Sequence, residues 1–300
     1  MSTVACVGIA VMDYLFQMNQ LPLGGGKYYA NSYREVGGGV AANAAVAVAR
    51  LGGTAKYIGR VGDDPAGARI VADLGELGVD VGDVTSVPGV ASPVSAVLVD
   101  RTGERTIINH TPAELFAPGT GPLPGGLGDA GSILVDVRWP EGAAHALAVA
   151  REAGIPSVFD FDRPMPDDGA QLIGLATHIA FSESALAATS LTPDPVEGLQ
   201  VLRSRTDAWL AVTAGSAGVW WLEGEEVNHQ PAFPVKAVDT VGAGDVFHGA
   251  LALTLAEGQA AASAVEFASA AAALKCTKPG GRAGAPTRPE VEELLEGASG

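Results

Sequence analysis

Short runs rich in Val and Ile alternate along this chain with longer Ala-rich stretches of helical spacing. No other feature narrows the choice of fold as much. Strands joined through helices cannot be joined by tight hairpins. They must run parallel, and a parallel sheet has to be covered on both faces. The spacing predicts strands over residues 4–9, 56–60, 132–138, 157–160, 178–181 and 209–213, with helices over 41–51, 65–77, 142–153, 243–256 and 260–274. Several of these helices stop at Gly, as at Gly52 and Gly258. The expected fold class is therefore α/β, with a mostly parallel central sheet flanked by helices.

Two segments, 13–36 and 93–109, break the rhythm. Both alternate apolar and polar residues around turn signals such as Arg101-Thr-Gly-Glu104, the pattern of β-ribbon. Helical units separate them in sequence, so they are expected to meet as a small projecting sheet, a lid able to cover a ligand cleft.

The 300 residues suffice for a sizeable core, and 47% hydrophobic against 17% charged is ordinary for a globular protein. A net charge of −16 argues against nucleic acid as a partner, because binding a phosphate backbone needs a basic footprint. No apolar run approaches the ~18 residues of a membrane span, and no basic n-region precedes the first strand, so neither a membrane nor export is expected and the cytoplasm is. Cys6 and Cys276 lie in apolar runs and read as free thiols. The five His show no H-x-x-x-H spacing, which argues against zinc.

The most informative stretch is VDTVGAGDVFHGALALTL, residues 238–255. Gly242, Ala243 and Gly244 form a turn that opens a helix, and the amides of such a helix start suit an anion. Asp245 stands at the same mouth, where an isolated Asp is ordinarily a cap. Other glycine clusters fail as nucleotide motifs. In GGGKYY, Tyr28 follows Lys27 where a phosphate loop needs Ser or Thr, and VGGGVAANAAV lacks G-x-G-x-x-G after the first strand. Gly38 and Gly39 still allow close backbone approach to a ligand, with Asn43 in the helical turn behind them.

Taken together, DTVGAGD at 239–245, GGGVAANAAVAVARLG at 37–52, GRVGDD at 59–64 and VTAGSAG at 212–218 resemble the ribokinase-like carbohydrate kinases, the PfkB family. The resemblance covers essentially the whole chain. It implies one kinase domain over residues 1–300, lid segments at about 13–36 and 93–109, and a homodimer formed through the lid. It implies ATP and Mg2+ as cofactors, K+ as a further candidate, Asp245 as catalytic base, and an anion hole at Gly242, Ala243 and Gly244. Thr213, Gly215, Gly218, Thr277 and Gly280 would line the nucleotide. Glu183 would organise Mg2+ indirectly, although Ala180 stands where the family motif has Asn. Asp239 would offer a monovalent-cation site.

Within that family, GKYYANSYREVGGG, RTIIN, LVDVRWPEGA, HQPAF and LKCTKPGGRAG look like the sulfofructose kinases of sulfoglycolysis. This closer resemblance implies phosphorylation of 6-deoxy-6-sulfofructose at O1. Lys27, Asn109 and Arg138 would hold the sulfonate, and Asp13 and Asn43 the sugar hydroxyls. Taken singly, a Lys or Arg is ordinarily just solvated. Together at the lid and at the end of a parallel strand, two cations and an amide would suit a tetrahedral anion. The alternatives are 2-keto-3-deoxygluconate kinase, fructokinase, and a catalytically silent sugar-binding regulator.

Overall fold

The structure, a computed structural model, describes residues 1–165 and 169–298. The chain opens on β1 (Thr3–Val7) and leaves the parallel rhythm at once for β2 (Val11–Gln17) and β3 (Ser32–Gly38). Then come α1 (Val40–Arg50), β4 (Thr54–Ile58), β5 (Arg60–Gly62), α2 (Pro65–Glu76) and β6 (Thr85–Val87). A second ribbon is made by β7 (Val94–Val99) and β8 (Arg105–His110). The βα rhythm resumes with β9 (Ser132–Asp136), α3 (Pro140–Ala153), β10 (Ser157–Phe161), α4 (Gly169–Leu175) and β11 (His178–Ser182). After α5 (Glu183–Ser190), α6 (Pro195–Arg203) and β12 (Trp209–Thr213), a hairpin of β13 (Val219–Glu223) and β14 (Glu226–Gln230) closes the sheet. The last helices are α7 (Ala243–Ala256), α8 (Ala261–Cys276) and α9 (Arg288–Ala298).

Eight strands form the central sheet in the order β14-β13-β12-β11-β10-β9-β1-β4, parallel from β12 to β4. Strand alternation sorts its side chains into two cores. Val4, Cys6, Leu134, Val158 and Ala180 face α1, α7 and α8, whereas Ala5, Val7, Ile133, Val135, Phe159 and Ile179 face α3, α5 and α6. Helix, sheet and helix make the three layers that the strand–helix alternation predicts.

A separate four-stranded sheet, in the order β3-β2-β7-β8, joins the two ribbon segments. β2 and β7 run parallel at its centre, because the βα units between them carry the chain back to the same end. The strand expected over 56–60 ends at Ile58, and the chain restarts as β5 in a two-stranded pair with β6. The break falls at Gly59, where a Cβ would lie 2.1 Å from the Tyr57 hydroxyl oxygen and 2.6 Å from the Gly8 carbonyl oxygen. α6 was not expected, although its Asp194 cap and its Pro195 in the first turn are a standard start signal. Among the described residues no helix is long and apolar enough to cross a membrane.

Candidate active site

A cleft of about 720 Å³ opens between the carboxyl ends of the parallel strands, the start of α7 and one face of the small sheet. Ligands of open α/β sheets gather at that strand edge. The small sheet contributes by alternation: Asp13 and Leu15 of β2, Arg34 and Val36 of β3, and Ser95 and Val97 of β7 line the cleft, with Arg105, Ile107 and Asn109 of β8.

At the inner end stands Asp245, in the first turn of α7. The helix begins after Gly242, which is left-handed at φ 78°, a conformation that admits Gly at no cost. The amides of Gly244 and Asp245 have no backbone partner among the described residues and are free for an anion. Asn43 Nδ2 donates to Asp245 Oδ2 at 2.6 Å. That contact depends on close docking of α1 on α7: a Cβ at Gly249 would lie 2.6 Å from the Ala44 carbonyl oxygen. Burial, and after it the nearby Asp160, push the Asp245 carboxyl up to about 7. Asn43 and His248 act in the opposite sense, and Asp162 adds to the rise.

Behind Asp245 lies a charged pair that sequence reading missed. His248 Nδ1 is 2.9 Å from Asp160 Oδ2 and 2.7 Å from the Gly244 carbonyl, and Nε2 faces the Ala180 carbonyl at 3.3 Å. Both side chains are buried. Burial opposes the imidazolium, but Asp160 outweighs it and the ring holds its proton up to about 9. Asp136, at the end of β9, was missed as well. Its Oδ2 accepts the Ile9 amide at 2.8 Å and the Ala41 amide at 3.2 Å, and its Oδ1 accepts the Arg138 amide at 2.8 Å. One buried carboxyl thus ties β1, α1 and β9 together. The available signal was an acid at the end of an apolar parallel strand, in DVR and in DFD.

The expected sugar contacts assemble in part. Asp13, Ser95 and Asn109 are register partners on three neighbouring strands, and Ser95 Oγ donates to Asn109 Oδ1 at 2.8 Å. Gly38 and Gly39 stand where side chains cannot. A Cβ at Gly38 would fall 2.3 Å from Asp13 Oδ2, and one at Gly39, φ 97°, would fall 2.5 Å from the Ile9 carbonyl oxygen. Arg138 lines the cleft, but both its Nη atoms donate to Asp162, Nη2 at 2.6 Å. Lys27 is exposed on the segment between β2 and β3 and does not line the cleft. In its place the cleft holds four arginines that the sequence did not single out, Arg34, Arg105, Arg163 and Arg282. Arg282 is buried, with Asp73 4.0 Å away, whereas the side chains of the other three are exposed and without a partner among the described residues.

The nucleotide-side residues lie along the same strand edge, and most fall outside the enclosed cleft. Thr213 ends β12 and donates from Oγ1 to the Phe181 carbonyl at 3.2 Å. Gly215 and Gly218, at φ 52° and 94°, shape the turn after it. Thr277 caps α8, donating to the Leu274 carbonyl at 2.7 Å, and the Gly280 amide donates to Asp239 Oδ2 at 3.0 Å. Glu183 opens α5 with an exposed side chain. Among the described residues no three His, Cys, Asp or Glu side chains form a metal cluster.

A family model described as pfkB family carbohydrate kinase matches residues 1–288. The chain belongs to the pfkB family of carbohydrate kinases. Among curated pfkB relatives, it is 30% identical to the ribokinase of Bacillus subtilis over 98% of this chain and 100% of that one. It is 33% identical to the fructokinase of Klebsiella pneumoniae over 86% and 91%. A crystal structure from Agrobacterium tumefaciens that carries a provisional ribokinase designation superposes with a TM-score of 0.94 at 42% identity, covering 100% of this chain and 99% of that one. The Arabidopsis thaliana ribokinase solved with ribose and ATP gives a TM-score of 0.86 at 25% identity, with 98% of each chain covered. The ribokinase-like fold, with its mostly parallel sheet and its small separate sheet, is shared across these pfkB-type structures.

Proposed function

We propose that this kinase transfers the γ-phosphoryl group of ATP to the C1 hydroxyl of 6-deoxy-6-sulfofructose, giving the 1-phosphate. The observation that carries the reading is the grouping of Arg34, Arg105, Arg138 and Arg163 around one cleft in a chain of net charge −16. Such a field attracts an anionic acceptor. Asn109 and Arg138 would hold the sulfonate, without Lys27, which lies outside the cleft. Asp13 and Asn43 would fix the hydroxyls. The sugar would then point C1 at Asp245. The C1 oxygen bonds to phosphorus as the bond from phosphorus to the ADP oxygen breaks, and Asp245 takes the hydroxyl proton. Amides of Gly244 and Asp245, with the turn at Gly242 and Ala243, would hold the transferring oxygens. Mg2+ would be held chiefly by substrate phosphates and water, organised indirectly by the exposed Glu183, and would offset phosphate charge. ATP use and free thiols at Cys6 and Cys276 fit a cytoplasmic enzyme.

A second reading, fructose as the acceptor, is favoured by the Arg138–Asp162 pair, which neutralises one of the five arginines lining the cleft, and by the fructokinase relatives. An intact Asp245 speaks against a silent sugar-binding regulator. The deciding experiment is ATP turnover with 6-deoxy-6-sulfofructose, fructose 6-phosphate, 2-keto-3-deoxygluconate and fructose side by side. Comparable rates on fructose sink the sulfosugar assignment.

The pH profile follows from Asp245. A base must be ionised to accept a proton, and this carboxyl is pushed up to about 7. kcat/KM is therefore expected to fall about tenfold per pH unit below that midpoint. Asn43→Ala removes a donor that favours the carboxylate, so its midpoint should move to higher pH. An unmoved midpoint would detach the limb from Asp245.

The small sheet and its adjoining segment expose Leu23, Tyr29, Tyr33 and Ile108, none of which lines the cleft. Exposed apolar side chains on a sheet face away from the cleft suit an interface. A homodimer through this sheet, acting as a lid, is expected. A monomeric mass by light scattering at micromolar protein counts against it.

A further inference from the structure

Lys275, in the last turn of α8, has no exposed surface, although lysine is a strongly hydrated charge that is rarely buried without partners. Its partners are all oxygens. Nζ donates to the Asp239 carbonyl at 2.9 Å and to the Lys278 carbonyl at 3.4 Å, and lies 3.7 Å from Asp239 Oδ2. The stem is accommodated at Gly284, where a Cβ would come within 3.2 Å of Lys275 Cδ.

Asp239 itself is fully engaged. Its Oδ1 accepts the Val241 amide at 2.9 Å, and its Oδ2 accepts those of Gly280 at 3.0 Å and Gly281 at 3.3 Å. The amides of Val238 and Asp239 both reach the Cys276 carbonyl, at 2.7 and 3.1 Å. Two loops, one leading into Gly242 and α7 and the other leaving α8, are thus pinned together around the ammonium. The oxygen set is the kind a hard cation takes, two main-chain carbonyls and a carboxylate. A free monovalent ion does not fit there, since it would have to share these oxygens with an ammonium. The expectation that Asp239 offers K+ a site fails for this reason.

We propose that Lys275 serves as a built-in monovalent cation, holding the anion-binding turn of α7 in shape and making the enzyme independent of K+. The inference rests on the reading of that turn as the phosphoryl site. Lys275 is here a positioning residue: it fixes the Asp239 loop, which leads into Gly242 and the first turn of α7.

The test is MgATP binding by calorimetry, without sugar, and then sugar-dependent turnover, each with sodium or potassium chloride at constant ionic strength. The native enzyme is expected to change less than ~2-fold between the two salts. Lys275→Met should weaken MgATP binding and turnover about tenfold or more, the scale of lost charge-assisted contacts, and K+ or ammonium should restore part of the loss where Na+ does not. Strong K+ activation of the native enzyme overturns the proposal, as does a folded Lys275→Met enzyme with full activity in Na+. If that variant does not fold, the native salt response decides. A wrong acceptor sugar leaves the binding measurement readable, whereas native enzyme that fails to bind MgATP strikes at the kinase reading instead.

Discussion

Replacing Asp245 by Asn is expected to leave MgATP binding near native and to cut turnover by ~10²–10⁴-fold, the usual worth of a general base. The amide keeps the size of the carboxyl and its place in the first turn of α7, but it cannot take the hydroxyl proton. The same substitution should raise the melting temperature above pH 7. The folded carboxyl sits at about 7, well above its ordinary 3.8, so the folded chain holds a proton that the unfolded chain releases. Stability tied to that proton is present below pH 3.8 and is lost as pH rises to about 7. An amide carries neither the desolvation penalty nor the repulsion from Asp160, and the gain should vanish near pH 4. A turnover within a few-fold of native would return Asp245 to the role of a cap.

Arg138→Ala is expected to lower kcat/KM for 6-deoxy-6-sulfofructose by roughly 10- to 150-fold, the equivalent of a charge-assisted contact of ~1.5–3 kcal/mol, with a much smaller loss on fructose. The Arg138–Asp162 pair adds a second route to the same loss. Without the guanidinium, Asp162 is left a partly buried, unpaired charge, and Asp162 already raises Asp245. That route would harm both sugars alike. Combining Arg138→Ala with Asp162→Asn separates the two. A sulfosugar-selective loss that survives in the double variant belongs to the sulfonate. Recovery of both sugars in the double variant would make the pair a support for Asp245. Phosphate on any hydroxyl other than O1, read by phosphorus-coupled NMR, would overturn the proposed orientation.

The six parallel strands of the central sheet were legible because each announces itself within its own few residues, whereas the edge hairpin β13–β14 and the helices α4, α5, α6 and α9 were not read. The small sheet could be read from two alternating segments, and Asp245 from a glycine turn beside a helical run. What stayed hidden was partnership across the chain. Asp160 meets His248, Asp136 meets Ile9 and Ala41, and Arg138 meets Asp162, because parallel strands end side by side at one edge. Which acid neutralises which cation there depends on strand order, and strand order is not written in local spacing. For the same reason Arg138 could be recognised as a cation at the site while its counter-ion could not. Lys27 illustrates the converse: a residue type and a motif placed it at the site, yet the path of the segment between β2 and β3 leaves it outside.

The hydrogen bond from Asn43 to Asp245 spans 202 residues. In chain order all the strands from β1 to β12 precede the acid, which meets its amide only when α7 docks on α1 through Gly249 and Ala44. A chain that stops before residue 245 carries part of the cleft wall but lacks the acid. In a refolding experiment the return of activity is expected to need the docking of α7 on α1, and so to come no earlier than the recovery of strand signal.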